Sequence, residues 1–351
     1  DIYGNVDSCS AVVTVQDVTG PTAICQAATV YVDTNGVAIV PAVLIDNGSS
    51  DACGIDTMFV TPATLNCSNI ASPATVTLTI IDINGNLSTC TAQVTVVDTV
   101  SPTMNCVNRT VFLDAFGTVN VLPSQIDGGT LDACGIAQLL INGSNNQLYD
   151  CSDIGPNTAI LSATDIHGNT NTCSAIVTVL DTVSPTPQCS APFSVFVGAT
   201  GNVTITPPNV DSLSTDNCAV NASAYLINGQ PSITYTCANL TAIQNVILTV
   251  VDSSGNSRTC TTQVTVEDTI SPQANCQLSI TRNLSSTSPG VVTVNAIALN
   301  NGSIDNCTGS LTYLINGQSS FQYTCADIGP NIATLSVSDA SGNTGTCTST
   351  V

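Results

Sequence analysis

The feature that most constrains this chain is its likeness to itself. The stretch DINGNLSTCTAQVTVVDTVSP (82–102) returns as DIHGNTNTCSAIVTVLDTVSP (165–185) and DSSGNSRTCTTQVTVEDTISP (252–272). The chain starts inside the same motif, DIYGNVDSCSAVVTVQDVTGP (1–21), and stops inside it, DASGNTGTCTSTV (339–351). Three elements keep their spacing. Asp-x-x-x-Pro-x-x-x-Cys occurs at Asp17, Asp98, Asp181 and Asp268, 81, 83 and 87 residues apart. Asp-x-x-Gly-Asn-x-x-x-Cys starts at Asp1, Asp82, Asp165, Asp252 and Asp339. An Asp-x-Cys element falls at Asp51, Asp132, Asp216 and Asp305, preceded by Asp46, Asp127, Asp211 and, breaking the pattern, Asn300. A fixed period of this kind marks a tandem array, in which each unit is one folded module.

Between the motifs the apolar residues are mostly Val, Ile, Ala and Leu, alternating with Thr and Ser in runs such as ATVTLTII and AIVTVLD. Period-two, β-branched patterning predicts half-buried strands, and no amphipathic helix is evident. Units of 80–90 residues built from short strands have the size of one β-sandwich. The expected fold is therefore all-β: four immunoglobulin-like sandwich domains in an elongated rod, each with its own disulfides. The expected boundaries are 18–98, 99–181, 182–268 and 269–351. Residues 1–17 read as the last strand of a preceding repeat, and the fourth repeat stops within its own last strand, so the array is expected to continue beyond both ends.

Seventeen cysteines without Cys-x-x-Cys zinc spacing imply disulfides and an oxidising compartment. Each repeat has four. In repeats 2 to 4 an Asn-Gly pair, the strongest short hairpin signal, lies midway between the second and third cysteines, so residues equidistant from the turn are expected to face each other. That predicts Cys53–Cys67, Cys134–Cys151, Cys218–Cys237 and Cys307–Cys325. The first and fourth then pair as Cys25–Cys90, Cys106–Cys173, Cys189–Cys260 and Cys276–Cys347. Cys9 is left over, with its partner expected outside residues 1–351.

The order VTVxDxxxPxxxC, DxCG, C, DxxGNxxxCxxxVTVxD resembles the hyalin repeat and related immunoglobulin-like repeats of extracellular adhesins and surface fibres. The resemblance spans all four repeats and implies an adhesive or spacer role rather than an enzyme. Where that family commonly has Cys-Pro, this chain has Gln26, Val107, Ser190 and Gln277 after the cysteine.

In a sandwich with the chain entering at one end, the linker aspartate falls near the loop and turn aspartates of the domain it leads into. Asp17 is thus expected beside Asp46, Asp51 and Asp82. Asp98 is expected beside Asp127, Asp132 and Asp165, Asp181 beside Asp211, Asp216 and Asp252, and Asp268 beside Asp305 and Asp339. Lysine is absent and only Arg109, Arg258 and Arg282 are basic, so converging carboxylates need another counter-charge. Oxygen ligands in loops suit structural Ca²⁺, and the linker proline stiffens the backbone on which such an ion would sit. For Asp82, Asp165, Asp252 and Asp339, capping of their own turn is the first reading and ligation the second.

Twenty-four acidic residues and a net charge of −21 argue against nucleic acid and anionic membrane as partners, and no run is long enough to span a bilayer as a helix. His167 is the only histidine and reads as an exposed turn residue. Carboxylates repeated identically in every unit suit structure better than a single catalytic centre. Sequons at Asn47, Asn86, Asn108, Asn142, Asn202, Asn221, Asn239, Asn283 and Asn301 are candidate glycosylation sites. The leading expectation is a calcium-stiffened stalk or filament of a cell-surface or extracellular protein, partnered by neighbouring repeats or copies of itself. An adhesive module binding glycan or protein through its loops, and the non-catalytic stalk of a secreted enzyme, are the alternatives.

Overall fold

The structure, a computed structural model, describes residues 1–351. The chain forms two compact units. The first comprises Asp1–Phe112 and Thr118–Leu180, the second Leu113–Gly117 and Asp181–Val351.

Repeat 1 shows how the sequence makes the module. Its elements are β1 (Ala28–Tyr31), β2 (Val37–Ile39), the single turn α1 (Ala42–Ile45), β3 (Ile55–Thr61), β4 (Thr64–Asn66), β5 (Ala74–Asp82) and β6 (Leu87–Val97). One sheet runs β1-β6-β5-β3, and β2 pairs with β4 in the second. The alternation in β5 turns Val76, Leu78 and Ile80 inward, all fully buried, and β6 does the same with Ala92, Val94 and Val96. Ala38, Ile45 and Leu65 meet them from the other side. β1 lies parallel to β6, Ala28 opposite Val94. The disulfide Cys25–Cys90, with Cα atoms 5.8 Å apart, ties the segment before β1 to β6.

The plan recurs in every repeat. Repeat 2 has the sheet Arg109–Phe112, Thr170–Leu180, Gly155–Asp165, Ile136–Ile141, and repeat 3 has Phe193–Phe196, Ser257–Glu267, Ile243–Val251, Leu226–Ile227. In repeat 4, Thr312–Ile315, Ile332–Ser338 and Thr344–Thr350 form the sheet, with Ser279 bridging in parallel to Thr350. Cys106–Cys173, Cys189–Cys260 and Cys276–Cys347 are the counterparts of Cys25–Cys90. The chain is all-β, with immunoglobulin-like sandwiches in tandem. Residues 1–17 form no strand, and Val12, Val13 and Val15 stand exposed.

The second set of expected disulfides is wrong. Cys53–Cys67, Cys134–Cys151, Cys218–Cys237 and Cys307–Cys325 do not form. Instead Cys67 of repeat 1 bonds Cys134 of repeat 2, and Cys237 of repeat 3 bonds Cys307 of repeat 4, with Cα atoms 5.3 and 5.5 Å apart. Cys151 and Cys218 are disulfide-bonded as well, whereas Cys9, Cys53 and Cys325 are free and exposed. The Asn-Gly turns are real: Asn142, Asn228 and Asn316 sit at φ 49°, 47° and 48°, each before a positive-φ glycine. The strands on either side part company after one bridge, such as Ile141 to Ser144. Ile136–Ile141 stays in the large sheet, and Gln147–Asp150 crosses to pair with Thr118–Val121. A turn that switches sheets sends the two cysteines to opposite ends of the module. Cys67 and Cys134, and likewise Cys237 and Cys307, meet across consecutive repeats instead.

Candidate metal centres at the repeat junctions

Each junction is assembled from three pieces of backbone. The linker aspartate caps its own turn, directly after the last strand of a repeat for Asp98, Asp181 and Asp268: Val100 N–H donates to Asp98 Oδ1 at 2.9 Å, and Thr19, Val183 and Ile270 do the same for Asp17, Asp181 and Asp268. The turn aspartate closes the last hairpin of the next repeat. Asp165 Oδ1 accepts from His167 N–H at 2.8 Å and Asn169 N–H at 2.9 Å. The Asp-x-Cys loop supplies the third group, with Cys134 N–H donating to Asp132 Oδ1 at 2.8 Å. The asparagine of Gly-Asn joins two of the pieces. Asn169 Nδ2 donates to Asp165 Oδ2 at 2.8 Å and to the Asp98 carbonyl at 3.3 Å. Asn86, Asn256 and Asn343 make the same pair of bonds at the other three junctions.

These turns bring carboxylates together. Oxygens of Asp98, Asp132 and Asp165 lie within 4.8 Å of one another, and so do those of Asp181, Asp216 and Asp252. Asp268 and Asp305 gather with Cys307, and Asp17 and Asp51 with Cys53. Cys134 and Cys307 are oxidised, so the ligand set offered at their junctions is oxygen, not thiolate. Asp98, Asp165, Asp181, Asp252 and Asp268 are buried. Asp216 Oδ1, Asp268 Oδ2 and Asp305 Oδ1 are buried with no hydrogen-bond donor. A buried carboxylate oxygen with nothing to accept is costly, and a hard cation satisfies several such oxygens at once. Beside the Asp268 cluster, a cleft of about 390 Å³ lined by Thr241, Asp268, Asp339 and Ser341 gives solvent access.

The electrostatics distinguish the carboxylates. Burial, helped by the charges of Asp268 and Asp339, pushes the Asp305 carboxyl above its ordinary value. For Asp82 and Asp165 burial works against the charge too. The hydrogen bonds from Asn86 and Asn84, and from Asn169 and His167, outweigh it and hold both below the usual range. All four turn aspartates cap their own turns, and Asp165 and Asp252 also lie in a carboxylate cluster, whereas Asp82 and Asp339 do not. Asp17, acting first through a hydrogen bond and then through its charge, raises the Cys53 thiol.

Asp46, Asp127 and Asp211, also expected as ligands, lie outside every cluster. Each closes a local turn. Asp46 Oδ1 accepts from Ser49 N–H at 3.0 Å, Asp127 Oδ1 from Thr130 N–H at 2.8 Å, and Asp211 Oδ1 from both Ser214 N–H and Oγ–H. In repeat 4, Asn300 makes the same bonds to Ser303. The position needs an acceptor and not a charge, and the exception in the sequence was the signal.

His167 is an exposed turn residue, as expected, and it also makes a contact that was not expected. Its Nδ1 lies 3.1 Å from the buried Asp98 Oδ2. Its counterpart Ser254 donates to Asp181 Oδ2 at 3.3 Å. Of the sequons, Asn86 has its amide nitrogen committed at the junction, while Asn47, Asn108, Asn142, Asn202, Asn283 and Asn301 are exposed.

No protein-family model and no curated protein matches the sequence. Among solved structures the chain is similar to Protocadherin Gamma B7 extracellular cadherin domains 1–4, at 11% identity over 82% of this chain and 86% of that one, with a TM-score of 0.34. It is also similar to an I-band fragment of titin, at 11% identity over 72% and 100%, TM-score 0.32. A third is Sidekick-1 immunoglobulin domains 1–4, at 9% over 95% and 99%, TM-score 0.26.

Proposed function

We propose that this chain is a structural repeat of an extracellular or cell-surface protein, a non-catalytic spacer whose junctions are held by a disulfide and a Ca²⁺ ion. The observation that carries the reading is the buried, donor-less oxygen at Asp216, Asp268 and Asp305 inside carboxylate clusters that recur at each junction. Asp98, Asp132 and Asp165 would hold one ion, Asp181, Asp216 and Asp252 a second, and Asp268 with Asp305 a third. The ion supplies positive charge to carboxylates that no lysine reaches, and it ties linker, loop and turn together. With 6–8 oxygens in its usual shell, it would complete its coordination with backbone carbonyls and water. Disulfides between consecutive repeats fit an oxidising exterior, and the net charge of −21 fits a surface that repels nucleic acid and attracts cations.

Calorimetric titration of the chelated 351-residue chain with CaCl₂ tests this. Saturable binding that D216N and D305N each reduce by one site supports the reading. Absence of any binding heat, with intact folding by circular dichroism, contradicts it.

A further inference from the structure

The junction leading into repeat 2 carries a donor that the other junctions lack. His167, the only histidine in the chain, stands at the third position of the Asp-x-x-Gly-Asn turn. In repeats 2 and 3 that position reaches the linker carboxylate: His167 Nδ1 lies 3.1 Å from Asp98 Oδ2, and Ser254 Oγ lies 3.3 Å from Asp181 Oδ2. In repeat 4 it is Ser341, which lines the same cleft as Asp268. The turn therefore presents one side chain toward the buried carboxylate, and the chemistry of that side chain changes along the array. It is a hydroxyl oxygen in repeats 3 and 4 and an imidazole nitrogen in repeat 2. We propose that the repeat 2 junction takes a Zn²⁺-class cation in preference to Ca²⁺, with His167 as its nitrogen ligand. This selectivity rests on the reading that the carboxylate clusters hold cations, and it sets which cation one of them takes.

Asp98 belongs to two groups of donors. Its carboxylate lies within 4.8 Å of oxygens of Asp132 and Asp165, and within 4.8 Å of a His167 ring nitrogen and Cys134 Sγ. The sulfur is tied to Cys67 in a disulfide, so the donors on offer are one nitrogen and several carboxylate oxygens. Ca²⁺ draws its shell from oxygens. Imidazole suits Zn²⁺, Cu²⁺ and Ni²⁺, and Zn²⁺ accepts carboxylates beside it.

The geometry fits the smaller ion. Two ligands of a tetrahedral Zn²⁺ at its usual bond lengths stand about 3.3 Å apart, and His167 Nδ1 and Asp98 Oδ2 are already 3.1 Å apart. With the ring proton on Nε2, Nδ1 turns a lone pair toward the carboxylate. Two facing lone pairs repel, and a cation between them makes the contact attractive. The Asp98 side chain is 1% exposed and that of His167 20%. The carboxylate thus anchors the ion from inside, and the imidazole closes over it from the solvent side. The turn holds the ring in place, because His167 N–H donates to Asp165 Oδ1 at 2.8 Å. A carboxylate oxygen of Asp132 or Asp165, with water, completes the shell.

The test uses the full oxidised chain, freed of metal with chelator, exchanged into chelator-free buffer at neutral pH and titrated with ZnCl₂ in saturating CaCl₂. Because the chain has one histidine, the imidazole C–H signals in its proton NMR spectrum belong to His167 without further assignment. They are expected to shift and to stop shifting at about one Zn²⁺ per chain. By calorimetry, His167→Ser, which installs the residue native to that position in repeats 3 and 4, should weaken this binding about tenfold or more and leave the Ca²⁺ stoichiometry unchanged. The proposal is overturned, with calcium binding intact, if Zn²⁺ leaves the imidazole signals in place or binds His167→Ser and the parent chain equally well. The contact with Asp98 is then a hydrogen bond only. A chain that binds neither ion overturns the underlying reading as well.

Discussion

The junctions leading into repeat 2 and repeat 4 share a backbone, a disulfide and an Asn-tied linker aspartate, yet they handle the buried charge differently. At the first, the Asp98 carboxylate meets His167 at 3.1 Å, and the residue between Asp132 and Cys134 is Ala133. At the second there is no imidazole. Asn306 reaches from the Asp-x-Cys loop to Asp268 Oδ1 at 3.1 Å and to the Gly198 carbonyl of the preceding repeat at 3.3 Å. Asp268 Oδ2 and Asp305 Oδ1 are then left without donors. The covalent staple is the constant part and the counter-charge is the variable one. One junction sets an imidazole against its buried carboxylate, and the other leaves two carboxylate oxygens without donors.

The largest effect should come from the constant part. Cys67→Ser with Cys134→Ser, or Cys237→Ser with Cys307→Ser, opens a loop of about 70 residues, worth about 4 kcal/mol of chain entropy. Denaturant unfolding should show losses of that order in both variants. A loss at only one junction would mean that the staples are not equivalent.

Next come the carboxylates. A carboxyl held above its ordinary pKa costs stability as its charge forms. The penalty at Asp305 is absent at low pH and appears as pH rises through the raised value. In chelator, Asp305→Asn should therefore stabilise the chain at neutral pH and do little in acid. The opposite sign holds for Asp82 and Asp165, whose stabilising bonds are present above the ordinary carboxylate pKa and are lost as pH falls through the lowered one. Melting temperature against pH for D305N and for D165N reads both slopes. His167→Ser, which copies Ser254, should make the repeat 2 junction more like that of repeat 3. The heat of Ca²⁺ binding at that junction should then approach that of the repeat 3 junction, read by calorimetric titration of the variant beside the parent chain. The smallest effect belongs to Asp46→Asn. Asn300 does that work natively, so a stability change within about 0.5 kcal/mol is expected at neutral pH.

Much of this was legible in the sequence because it is local or periodic. Alternating Val and Thr fixed the faces of the strands, the Asp-x-x-Gly-Asn turn fixed the hairpin before the last strand, and first-to-fourth cysteine pairing, reached by elimination, agrees with the first strand lying beside the last. The convergence of linker, loop and turn aspartates holds at two junctions, Asp98 with Asp132 and Asp165, and Asp181 with Asp216 and Asp252, while Asp82 and Asp339 stay outside the clusters of theirs. The middle cysteines were not legible. Their pairing depends on the chain leaving one sheet for the other after Asn142-Gly143, and the same turn chemistry serves a true hairpin and a sheet switch equally well. The charge on Asp46 suggested a ligand, and Asn300 in the same place was the better guide. The contact of His167 with Asp98 joins residues 69 apart across a junction, beyond what turn composition reports.

The central claim is that a cation at carboxylate clusters, acting beside the inter-repeat disulfides, makes each junction a fixed part of the fold. Calorimetric melting of the oxidised chain in CaCl₂ and in EGTA tests it most directly. The account predicts a higher transition temperature in calcium, with the gain largely lost in a variant carrying D216N and D305N. Superimposable transitions in calcium and chelator would contradict it.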